Sequence, residues 1–75
     1  MIDKPGFAVI VEKGRIASFD EDGARGTVVV GSDTHHFHSA CFSSRPTRFP
    51  KTGEEVEVVF SSPAKSLVRV RELRR

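Results

Sequence analysis

The chain has 75 residues, 37% hydrophobic and 29% charged, with six phenylalanines and neither tryptophan nor tyrosine. That size and balance allow one small soluble domain with a single core and exclude a disordered chain. Twelve basic and ten acidic residues leave a net charge of +2, which permits contact with a polyanion without demanding it.

In chain order, Phe7–Val11 is a β-branched run after Pro5-Gly6 and predicts the start of a strand. Gly14 interrupts it and Arg15–Phe19 continues, so the segment reads as one long bent strand or as two collinear ones. Asp20–Ala24 is an acidic turn, and Arg25–Val30 is the second strand. Gly31-Ser32-Asp33 turns the chain into a third strand, Thr34–Ser39, which ends in a short 3₁₀ turn before Phe42. Ser43–Pro50 reads as a loop, because Pro46 and Pro50 cannot donate to a strand ladder.

Lys51–Glu55 is a further turn. In the fourth strand, Val56–Phe60, the residues Val56, Val58 and Phe60 share one face. A turn at Ser61–Ala64 leads to the fifth strand, Leu67–Leu73, with Val68 and Val70 expected inside and Arg69 and Arg71 outside. The tail Glu72–Arg75 is expected to fray. No segment carries a helical stripe.

Five short strands spaced by roughly 10–13 residues predict an all-β fold, a small five-stranded antiparallel barrel of OB type. Closure removes the exposed edges that a domain of this size can hardly cover otherwise. Residues 1–13 read as an N-terminal strand extension and 14–73 as the barrel. One cysteine, Cys41, allows no internal disulfide. The start of the chain lacks the apolar stretch of a leader peptide, and no run approaches the ~20 apolar residues of a membrane span, so the expected location is the cytoplasm.

Several segments together resemble a bacterial cold-shock domain. G-R-I-A-S-F-D from Gly14 is similar to the family's opening G-T-V-K-W-F-N, and R-G-T-V-V-V from Arg25 sits where the family has K-G-F-G-F-I. D-T-H-H-F-H-S-A-C from Asp33 resembles D-V-F-V-H-F-S-A-I, and the F-P-K-T segment at Phe49 resembles the family's F-K-T loop. The resemblance runs from Gly14 to Leu73. It implies single-stranded RNA or DNA as partner, with bases stacked on outward aromatic rings at about 1–3 kcal/mol each.

Carried over by position, Phe19, His35, Phe37, His38 and Phe49 would stack, and Lys13, Arg15 and Arg25 would meet phosphates. The platform is depleted: the family's Trp is Ser18, and the two Phe of its first motif are Thr27 and Val29. Weak, salt-sensitive and unspecific binding is the expectation. It requires rings turned outward from the second and third strands; Phe37 in the interior, with His35 and His38 on different faces, would remove the platform.

The alternative is a protein-interaction or dimerising module that kept the barrel and lost nucleic acid. In that case the Phe7–Val11 segment would add a strand at a partner's edge or pair two copies. The acidic turn Asp20-Glu21-Asp22, which would repel phosphate, favours this alternative. His35, His36, His38 and Cys41 suggest a zinc site by residue type but lack four fixed ligands. Ser39 or Cys41 beside His36 or His38 has no orienting third group. No metal, cofactor or catalysis is expected.

Overall fold

A computed structural model describes residues 8–62 and 64–73. The strands are β1 (Ala8–Asp20), β2 (Arg25–Val30), β3 (Asp33–His38), β4 (Phe42–Ser43), β5 (Glu55–Ser62) and β6 (Ser66–Glu72), with a 3₁₀ turn at Ser39–Cys41. Among the described residues no helix is long and apolar enough to cross a membrane.

β1 is one strand with two partners. Ala8–Arg15 pair with β5, and Arg15–Asp20 pair with β2. The residues first read as an extension, 8–13, are therefore part of the sheet; Phe7 lies outside the described residues. The change of partner depends on Gly14, where a Cβ would sit 2.9 Å from the Val29 carbonyl oxygen and 3.0 Å from a Val30 methyl. A register irregularity between Ile16 and Ser18 adds the bend.

The strands lie in the order β3-β2-β1-β5-β6-β4. Among the described residues there are six strands rather than five, and the sheet is mixed: β4 pairs with β6 in parallel, while the other pairings are antiparallel. β4 corrects the reading of Ser43 as loop. It also curls the sheet. β3 and β4 stand at opposite ends of the strand order, yet only the 3₁₀ turn separates them in sequence. The four steps from His38 to Phe42 span at most about 14 Å. The two ends must approach, and the result is a half-barrel.

Alternation fills its concave side with Ile16, Val28, Val30, Phe37, Val56, Val58, Phe60 and Val70. Ile10, Phe19, Phe42 and Leu67 pack against this core. Val68, expected inside, is 49% exposed. The β5–β6 register steps from Val59↔Arg69 to Phe60↔Leu67, so Val68 is an extra residue without a partner and Leu67 takes the inward place.

The loop after β4 is tied down by charge. Arg48 bonds Glu54 at 2.6 Å and Glu72 at 2.9 Å, and the Arg45 and Lys51 amides donate to Glu72 and Glu54. Hydrogen bonding from the Arg48 guanidinium holds the Glu54 carboxyl below its usual range. Glu72, expected to fray, is anchored by these bonds; Arg74 and Arg75 lie outside the described residues. The loop in turn reaches β1: the Ile16 amide donates to the Glu54 carbonyl at 2.9 Å, and the Gly53 amide donates to the Ile16 carbonyl at 2.8 Å.

Candidate functional site

The β2–β3 register decides where the ring-bearing residues point. Phe37 stands opposite Gly26 and His35 opposite Val28, so both turn to the concave side. Phe37 is 5% exposed. Gly26 makes room for Phe19 on β1: a Cβ there would lie 2.5 Å from the Ser18 carbonyl and 2.7 Å from the Phe19 ring. Phe19 packs on Phe37 with ring centroids 6.1 Å apart, and Phe49 packs on Phe19 at 5.2 Å. Phe49, 44% exposed, is the outer end of an aromatic row that begins in the core.

His35 packs against the core ring of Phe60 at 4.9 Å, and its Nε2 is buried without a hydrogen-bond partner. His38 lies on the other side of β3, opposite Arg25. Its Nδ1 accepts the Ala40 amide at 3.0 Å and caps the 3₁₀ turn. The outward platform of His35, Phe37 and His38 is therefore not assembled: two of the three rings face the interior. The physical reason is burial. A half-barrel this small places its few large apolar side chains on the concave face, and Phe37 is one of them.

Around Arg25, what β1, β2 and β3 turn outward is polar. His36 and His38 are exposed on β3. Arg25 is exposed beside them, with Asp20 opposite it on β1. Ser18 and Thr27, which occupy aromatic positions in the resemblance, share a hydrogen bond of 2.8 Å. Arg15 is already engaged, donating to the Gly53 carbonyl at 2.8 Å and to Glu55 at 3.0 Å. Lys13 is exposed, opposite Glu57. Of the eight residues proposed from sequence, Arg25 and His38 come together on one outer patch, joined by His36, not among them, while Lys13 and Arg15 stand two apart on the outer face of β1. Among the described residues no three metal-binding side chains converge.

A second surface lies on the N-terminal half of β1. The ladder to β2 begins only at Arg15. Among the described residues, 8–14 therefore have a strand partner on the β5 side and none on the other. Alternation sends Ile10 toward the core and leaves Val9 61% and Val11 48% exposed. Val11 stands opposite Val59, which is half-buried, and Val68 protrudes opposite the step between Val59 and Phe60.

Charged pairs stand nearby. Lys65 lies 3.8 Å from Glu12 and over the Phe60 ring, and Arg71 bonds Glu57 at 2.9 Å. Sequence reading placed this segment in a strand but missed its exposed valines. The signal was available in the alternation of A-V-I-V, which can bury only one of its two faces. Comparison of the chain with protein-family models, with curated proteins and with solved structures gives no match.

Proposed function

We propose that this chain is a protein-interaction module that receives an extended partner segment along the open edge of residues 8–14. One observation carries the reading: among the described residues, a strand edge without a partner runs beside outward-facing Val9 and Val11. An open edge presents unpaired amides and carbonyls in the spacing of a strand and is a template for another. Main-chain bonds would supply affinity, and the alternating valine face would supply selectivity. Burying each valine adds on the order of 1 kcal/mol.

The same geometry supports an OB-type barrel as the parent of the half-barrel. In this reading β3, the 3₁₀ turn and β4 are one passage that carries the chain around to close on β6. That passage is what favours a cold-shock-like barrel, while the burial of Phe37 speaks against its stacking surface.

Selection of extended heptapeptides followed by NMR mapping tests the docking reading. Binders should carry β-branched residues at alternate positions and shift the amides of residues 8–14. Binders that map to Arg25, His36 and His38, or the absence of any binder, would contradict it.

A second reading, weak contact with single-stranded RNA or DNA, is favoured by the outward grouping of Arg25, His36 and His38. Without phenyl stacking it rests on phosphate contacts and imidazole faces. Binding should then fall with salt.

A further inference from the structure

We infer that the strand received by this edge is residues 8–14 of a second copy, so that two half-barrels join across a two-fold axis through antiparallel β1 strands. This rests on the docking reading above and names its partner. The edge is self-complementary. A two-fold axis perpendicular to the sheet keeps the faces matched, so only residues of equal parity can stand opposite one another.

Centred on Ile10, the pairing sets Val9 against Val11 of the other copy, twice, on the outer face, and Ile10 against itself on the inner face. Four exposed valines then form one continuous patch. Centred on Val11, the pairing sets Val9 against Lys13 and Ile10 against Glu12. Centred on Glu12, it opposes two carboxylates, which destabilises a cross-strand pair. The Ile10 register is the one in which every central pair is apolar.

The other open edges are poorer matches. β3 presents Asp33, Thr34 and three histidines, and charged or polar edges discourage pairing. Ser66–Arg69 of β6 offers only the bulged Val68 as an exposed apolar residue, and its Arg69 guanidinium donates to Ser43 Oγ at 3.2 Å. The N-terminal half of β1 combines an open edge with a strongly β-forming A-V-I-V run that can serve equally as donor and as receiver.

The test is sedimentation equilibrium of the whole chain up to about 1 mM, set beside the Val9→Lys, Val11→Lys double variant. The chain should dimerise, and the double variant should dimerise at least about 30-fold more weakly, since like charges would stand opposite one another. Isotope-filtered NMR on a mixture of labelled and unlabelled wild-type chain needs no variant. It should show contacts between Val9 of one copy and Val11 of the other. A chain that stays monomeric throughout, or a dimer whose contacts lie elsewhere, overturns the inference. If such a monomer still binds selected peptides along residues 8–14, the docking reading stands and only the identity of the partner falls. If it binds none, both fall.

Discussion

The two halves of β1 are one continuous strand with opposite surroundings. In the C-terminal half, Arg15–Asp20, one edge is paired with β2 and the other is met at Ile16 by the loop at Gly53 and Glu54. Its outer face carries Arg15, Ser18 and Asp20. In the N-terminal half, 8–14, the edge away from β5 is open among the described residues and the outer face carries Val9 and Val11. One half is finished within the chain, and the other is left for something else to finish. An apolar outer face beside an open edge is a surface that water covers poorly and another strand covers well.

The comparison breaks most visibly at Phe37. If it is a core ring, Phe37→Ala should cost about 3–5 kcal/mol of unfolding free energy in urea, because it empties a filled site. Were it an outward ring, the cost would be within about 0.5 kcal/mol.

The next effect concerns the latch that holds the loop over the C-terminal half. Arg48→Met should destabilise the chain by about 1–3 kcal/mol, since it leaves Glu54 and Glu72 half-buried without their charged partner and with one backbone amide each. The Glu54 carboxyl is held below its ordinary value of 4.5. Its contribution to stability is therefore full above that value and fades as the pH falls through the depressed one. The gap between wild type and Arg48→Met should narrow below about pH 4, read by urea unfolding across pH. An equal gap at pH 3 and pH 7 would remove this triad as the anchor.

At the open half, Val11→Lys should change stability by no more than about 0.5 kcal/mol while abolishing docking. His36→Ala should leave both unchanged. The smallest effect is on nucleic acid. Titration with a short oligo-dT at low salt should give a Kd above about 100 µM, weaker still for Arg25→Ala. Low-micromolar binding would put the C-terminal half and its neighbours first.

Much of the fold was legible from alternation. Val56, Val58 and Phe60 share one face by period two, with Glu57 between the first pair, and all lie in the core. β3 lacks that contrast. In D-T-H-H-F-H rings occupy both parities, so hydrophobic period gives no preferred face, and the family likeness pointed Phe37 outward. The β2–β3 register turned it in. β4 has only two residues and is defined by its partner β6, which no local pattern announces. The exposure of Val68 follows from a one-residue slip between β5 and β6. The open edge is likewise a property of pairing: it exists because β2 stops at Val30 while β1 continues back to Ala8.

Amide exchange along β1, followed by NMR as the chain is concentrated, tests the working role of its N-terminal half most directly. Alternate amides within residues 8–14 should gain protection with concentration, and the Val9 and Val11 methyls should shift, while Arg25, His36 and His38 stay unmoved. Residues 8–14 that exchange at the same rate at every concentration, with shifts confined to Arg25, His36 and His38 on adding a single strand, would contradict it.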